Sequence, residues 1–208
     1  MIRVHHLNDS RSQRILWLLE ELELPYELTH YQRNEKTRLA PPELKAVHPL
    51  GKSPVMEDGS VKIAESGAIV EYLIARHGKG RLGPSADQDG WPAYIELLHY
   101  AEGSGMLPLM MHLYVMRLGE AGAPLHKRIH AEIDNQLAYL AGVLGERPFL
   151  LGDAFTGADV QMIFVFEVAR AFGKLEAHPN LSAYLDRMHG REAWKRALEK
   201  GGAYNLGG

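Results

Sequence analysis

Residues 2–31 read IRVHHLNDSRSQRILWLLEELELPYELTHY, and this stretch decides the fold. Ile2 to Leu7 is a short run with a strand's character. From Ser12 to Glu23 the apolar residues Ile15, Leu16, Leu18, Leu19 and Leu22 recur at helical spacing. Tyr26 to Tyr31 returns to a strand pattern. A strand, a crossover helix and a second strand form a β-α-β unit. Reading onward, a short helix is expected around Pro42 to Val47. Val55-Met-Glu and Val61-Lys-Ile follow as two strands joined at Asp58-Gly59, a dipeptide suited to a tight hairpin. A helix from Ser66 to His77 closes the segment.

Gly78 to Gly90 is rich in Gly, Pro, Ser and Asp and has no period, so a domain boundary is expected there. Residues 1–78 then form one domain, 79–90 a linker, and 91–208 a second, all-helical domain. Trp91 to Leu118 is one long periodic stretch in which Gly103, Gly105 and Pro108 predict a bend. Pro124 to Leu144 reads as a cleaner amphipathic helix. Thr156-Gly-Ala-Asp159 has the spacing of a capping box, with Phe155 and Val160 placed as a hydrophobic staple, and it opens an apolar helix to about Phe172. Short helices near Asn180 to His189 and Arg191 to Lys200 complete the chain.

The 208 residues, 46% hydrophobic and 24% charged, have the composition of an ordinary globular protein, large enough to bury its cores without staples. No stretch approaches the roughly 20 apolar residues of a membrane span, and Met1-Ile-Arg-Val-His-His lacks the apolar core of a secretion signal, so a cytoplasmic location is expected. The net charge of −3 with interleaved signs offers no basic stripe for nucleic acid. Eleven histidines are scattered, no H-E-x-x-H occurs, and His5 and His6 alternate across a strand, so no metal is expected. The chain contains no cysteine. Any thiol chemistry must therefore use a sulfur that arrives on a ligand.

Five features recur in one order: Ser10-Arg-Ser-Gln-Arg14, His48-Pro-Leu-Gly-Lys-Ser-Pro54, Asp58-Gly59, Glu65-Ser66-Gly-Ala-Ile69, and the capped helix at Thr156 to Asp159. Together they resemble the cytosolic glutathione transferases, most nearly the bacterial and fungal members reading SRSxRxLWLLEEL, which Ser10 to Leu22 match; the resemblance runs from end to end. It implies an α/β plus all-α fold, with an N-terminal thioredoxin-like domain followed by an all-helical domain. It also implies a homodimer with a glutathione site in each subunit.

A free cysteine-type thiol has a pKa near 8.5, and lowering it by ~2 units needs about 2.7 kcal/mol. One hydroxyl hydrogen bond to the charged sulfur, together with a helix N-terminus, can supply that. Ser10, four residues before Arg14 as in serine-type members of the family, is the candidate catalytic residue, and Ser12 is its rival. Both also fit a purely structural role as helix caps. Asn8 and Arg11 are possible assistants. By the same resemblance Ser53 precedes a cis-proline, Pro54, and its backbone pairs with the cysteinyl part of glutathione. Lys52 meets the glycyl carboxylate. Glu65 and Ser66 open a helix whose free N–H groups favour the γ-glutamyl carboxylate. Asp159 belongs to folding.

The second substrate, an apolar electrophile, is expected between the domains against Met106, Leu107, Met110, Met111 and Tyr114, residue types equally at home in a core or a dimer contact. His99 and Glu102 lie on the same helix. The implied activity is conjugation of the glutathione thiolate, glutathione being a co-substrate. Glutathione-dependent peroxide or disulfide reduction is the alternative, and a non-catalytic binding relative is the third reading.

Overall fold

The computed structural model describes residues 1–206, which divide into two compact units: residues 1–81 together with the chain from His189 onward, and Leu82–Met188. In the first unit, strands β1 (Ile2–Leu7), β2 (Tyr26–Tyr31), β3 (Val55–Asp58) and β4 (Val61–Ala64) form one sheet in the order β2-β1-β3-β4. β1 and β2 run parallel, as a crossover through helix α1 (Ser12–Glu21) demands, whereas β3 is antiparallel to both β1 and β4. The one-turn helix α2 (Leu44–Val47) precedes β3, and α3 (Ser66–His77) follows β4. This is a thioredoxin-like domain of four strands and three helices.

α1 is buried along nine of its ten residues, which a helix lying only on a sheet would not be. Its outer face is covered by α9 (Glu192–Gly201). From sequence, everything after residue 91 is expected in the helical domain, yet this last helix clusters with the sheet. The physical reason is complementarity. Ala193, Trp194, Ala197 and Gly201 make one buried stripe on α9, and the ring of Trp194 meets that of Trp17 edge to face at 5.3 Å. Arg191 pairs with Glu21 at 2.6 Å, and Arg196 and Lys200 both reach Glu20, at 2.9 and 2.5 Å. These basic side chains are about one-third to one-half exposed, so solvent screening keeps each pair weak. Burying two indoles contributes up to about 5 kcal/mol each, so the aromatic contact dominates. The helices approach closely at Gly201, where a Cβ would stand 2.6 Å from Gln13 Oε1, 3.1 Å from Leu16 Cδ2 and 3.3 Å from His6 Nε2, so that the end of the Gln13 side chain would have to move.

The second unit is helical: α4 (Trp91–Tyr100), α5 (Met106–Met116), α6 (Ala123–Leu144), α7 (Gly157–Ala171) and α8 (Pro179–His189). The bend predicted from Gly103, Gly105 and Pro108 takes the form of a π-helical turn at Ala101–Gly105 between α4 and α5. Pro108 has no N–H to continue the regular ladder, and the widened turn absorbs the missing bond. α7 is buried at 13 of its 15 residues. Its capping box is present: the Thr156 hydroxyl accepts from Ala158 N, and the Asp159 carboxylate accepts from Thr156 N at 2.8 Å.

Candidate functional site

The strand register brings the sequence-derived candidates of the first unit to one end of the sheet. His5 pairs with Val55 and Val55 with Ala64, in both cases antiparallel. The end of β1, the approach to β3 and the exit from β4 therefore coincide. Residues 8–11, Lys52 to Pro54, and Glu65-Ser66 lie at those three positions. Ser53 ties two of them together, since its hydroxyl donates to the carbonyl of His5 at 2.8 Å, and the Ser53–Pro54 peptide is cis. α1 and α3 both begin at this end, so two positive dipole ends are directed there; in α1 the Ser12 and Gln13 N–H groups are taken up by Ser10.

Lys52 is exposed. Ser66, the first residue of α3, is buried, while Glu65 before it is exposed and held at φ +68°, ψ 114°. A non-glycine residue in such a conformation costs on the order of 1–3 kcal/mol and persists where surrounding structure imposes it. The Glu65 carbonyl accepts the first hydrogen bond of α3, from Ile69 N at 2.9 Å.

The two serines occupy a buried chain of hydrogen bonds. Ser12 is inaccessible to solvent and Ser10 is 4% exposed. His6 Nε2 lies 3.1 Å from the carbonyl of Gly201, which can only accept, so Nε2 carries the ring's proton and Nδ1 is an acceptor. Ser12, 2.8 Å from Nδ1, can donate its one proton to the imidazole, with the Leu7 carbonyl at 3.2 Å as a longer alternative. Ser10 has two acceptors in reach, the carbonyl of Leu7 and the Ser12 oxygen, both at 2.7 Å. Both hydroxyls thus reach the Leu7 carbonyl, and Ser12 has the imidazole as its closer acceptor.

Burial, with a contribution from His30, pushes the His6 imidazole down to about 4, against the favourable carbonyl of Gly201. The ring is thus neutral at pH 7. An unfolded chain binds a proton here near pH 6.5 that the folded chain refuses, so this contribution to stability is complete above about pH 6.5 and is lost as the pH falls toward about 4. The expected loss is on the order of 3 kcal/mol. Urea denaturation at a series of pH values checks it, and His6→Gln should flatten the slope.

Several residues of the turn escaped the sequence reading. Asp9, at φ +49°, is buried, and its carboxylate accepts from Arg38 at 2.5 Å. Arg33 donates to the carbonyls of Asn8, Asp9 and Arg38 at 3.0, 3.1 and 2.9 Å, and its backbone N–H donates to the Asn8 side chain. Asn8 is therefore engaged in holding the turn. Asp before the helix was the available signal, because aspartate tolerates positive φ; its arginine partners, some 24 to 29 residues away, left none.

In the helical unit Met106 is buried, Met110 half-buried, and Tyr114, Leu107 and Met111 exposed. Core filling accounts for Met106. Asp159 has no surface and serves packing, accepting from Leu150 N, Tyr184 Oη and both polar groups of Thr156. His5 and His6 face opposite sides of the sheet, toward Tyr31 and Gly201 respectively. Among the described residues no group of three or more His, Cys, Asp or Glu is arranged to hold a metal ion. Nor is any helix long and apolar enough to cross a membrane.

Comparison with known proteins agrees with this architecture. Residues 1–75 match the family model for the glutathione S-transferase N-terminal domain, and residues 104–192 the model for its C-terminal domain. Glutathione S-transferase 1 of Saccharomyces cerevisiae is 33% identical over 223 aligned positions, covering 96% of this chain and 95% of that protein. A crystal structure of a glutathione S-transferase from Actinobacillus pleuropneumoniae superposes with a TM-score of 0.89 at 33% identity, covering 99% of this chain and 95% of its own. A family member from Pseudomonas fluorescens, solved with two glutathione molecules bound, gives a TM-score of 0.78 at 25% identity, covering 95% of this chain and 92% of its own. The chain belongs to the cytosolic glutathione S-transferase family.

Proposed function

We propose that the protein conjugates the thiolate of glutathione to apolar electrophiles, with glutathione held at the sheet end formed by residues 8–11, 52–54 and 65–66. The observation that carries this reading is the convergence there of two helix N-termini, an exposed lysine and a strained, exposed Glu65. Each matches one part of a tripeptide that bears two carboxylates, an amine and a thiol. The start of α3 and the Ser66 hydroxyl take the γ-glutamyl carboxylate, Glu65 its amine, and Lys52 the glycyl carboxylate. The backbone of Ser53 beside Pro54 pairs with the cysteinyl residue.

Ser10, not Ser12, stabilises the sulfur. Its proton can leave Leu7 O for a thiolate, whereas Ser12 has the His6 imidazole as its closer acceptor. The exposed Tyr114 and the half-buried Met110 supply apolar surface for the electrophile, with Met106 behind them. A second copy of the chain covers other exposed apolar residues of the helical unit. There α5 and α6 flank a groove of about 370 Å³ lined in part by Leu107, Met111 and Ile129. The enzyme works in the cytoplasm, in detoxification.

Ser66→Ala should weaken glutathione binding about 30-fold, the value of one hydrogen bond to a charged group, measured by calorimetry. Conjugation of a chloro-nitro-aromatic by the wild-type enzyme is the functional test. An absence of glutathione binding ends the proposal. Binding without turnover points to a non-catalytic relative.

A second reading, glutathione-dependent reduction of disulfides or peroxides, draws support from the inward-directed Ser10 hydroxyl, because glutathione itself forms the mixed disulfide in that chemistry. Turnover of hydroperoxide or disulfide substrates, with the chloro-nitro-aromatic untouched, selects it.

A further inference from the structure

The turn that carries Ser10 is held from outside its own strand and helix. Asp9 stands in the left-handed region at φ +49° immediately before Ser10, a conformation that aspartate tolerates and that two contacts of its carboxylate hold in place. One tie is Arg38, from the loop after β2. The other comes from the far end of the sequence. The Asn205 backbone N–H donates to Asp9 Oδ1 at 2.8 Å, and its side-chain amide lies 3.2 Å from each carboxylate oxygen. Four residues earlier, Gly201 fixes the proton of His6 and through it the orientation of Ser12, against which Ser10 rests. The segment from Gly201 to Asn205 thus grips the turn at two points, one on either side of Ser10. Burial pushes the Asp9 carboxyl up, but the hydrogen bonds from Asn205 and Arg38 outweigh it and hold the group below its ordinary value, so it is a carboxylate at neutral pH.

We propose that the segment following α9 is a built-in part of the glutathione site: Asn205, acting through Asp9, is a positioning residue that sets the turn on which the Ser10 hydroxyl meets the sulfur. This rests on the proposed use of Ser10. It assigns a role in thiol activation to a segment 196 residues from the turn. The fold itself does not need the contact, because Asn205 is exposed and α9 is already anchored through Trp194.

Three variants grade the effect. Asn205→Ala removes the side-chain amide and keeps the backbone bond, Asn205→Pro removes both, and Asp9→Asn weakens the acceptor. The readout is the pKa of enzyme-bound glutathione, titrated by its ultraviolet thiolate absorbance, alongside kcat/KM for a chloro-nitro-aromatic, calorimetric Kd and Tm. For Asn205→Pro the expected result is a bound-thiol pKa raised by about one unit and kcat/KM reduced about tenfold, the effect of one lost charge-assisted bond. Tm should move by less than about 2 °C and Kd by less than about threefold. Asn205→Ala should fall between wild type and Asn205→Pro, and Asp9→Asn should match or exceed Asn205→Pro. A bound-thiol pKa and kcat/KM at wild-type values in Asn205→Pro overturn the inference, as does a loss of activity that merely follows a falling Tm. Failure of the wild-type protein to bind glutathione overturns the functional reading as well, and so is distinguishable from failure of this inference alone.

Discussion

Asp159→Ala should destabilise the protein by about 4 kcal/mol, the largest single-residue effect expected outside the apolar cores. The carboxylate has no exposed surface and accepts four hydrogen bonds: Leu150 N at 3.0 Å, Tyr184 Oη at 2.7 Å, Thr156 N at 2.8 Å and Thr156 Oγ1 at 3.1 Å. Burial pushes the group's pKa up, while those donors pull it down. Alanine leaves two buried backbone N–H groups and a phenol without acceptors, at roughly 1–3 kcal/mol each, and adds a small cavity. A lost helix cap alone costs about 1 kcal/mol, so a measured value near 4 separates a hub that ties the loop, α7 and α8 together from a simple cap. Urea unfolding reads the difference, and Tm should fall by about 10–15 °C. Asp159→Asn should lie between, since its NH2 must face a donor. A loss below about 1 kcal/mol would contradict the hub.

Ser10→Ala should lower kcat/KM for conjugation about 30-fold with glutathione Kd nearly unchanged, the signature of a bond made to the developing thiolate rather than to the bound thiol. Ser12→Ala should behave differently. It strands His6 Nδ1 in a buried site, so its main effect is a stability loss of about 1–3 kcal/mol. If instead Ser12→Ala abolishes conjugation while Ser10→Ala is neutral, the assignment is reversed. The pair is informative because the two hydroxyls are only 2.7 Å apart and both reach the Leu7 carbonyl, while Ser12 also meets His6.

What could be read from sequence was local. The β-α-β unit follows from a change of period between residues 2 and 31, the hairpin from Asp58-Gly59, α3 from its apolar spacing, and the α7 capping box from residues three apart. Each is decided within one element, and the structure has each in place. The features that were not legible are contacts between distant segments. The docking of α9 on α1 joins residues about 170 to 180 apart, and the Asn205–Asp9 contact spans 196. Periodicity marks α9 as amphipathic but does not say which apolar face it covers, so grouping it with the neighbouring helices was the natural expectation. Spacing favours Ser10 over Ser12 as the catalytic hydroxyl but shows nothing of their hydrogen-bond partners, because the His6 ring beside Ser12 is bonded to a carbonyl 195 residues away.

The candidate cradle had an intermediate status. Lys52, Ser53, Glu65 and Ser66 could be singled out by type and order, but their meeting at one end of the sheet depends on the antiparallel register of β1, β3 and β4. The strained backbone of Glu65 has no sequence signature, since glutamate is not a residue that favours positive φ.

A crystal structure of the wild-type protein with glutathione bound tests the central claim most directly. The expected result has the γ-glutamyl carboxylate on the Ser66 hydroxyl and the first N–H groups of α3, and the sulfur about 3.2–3.5 Å from Ser10 Oγ, with that hydroxyl turned away from Leu7 O. Glutathione elsewhere, or a sulfur out of reach of Ser10 while its hydroxyl still donates to Leu7 O, would contradict it.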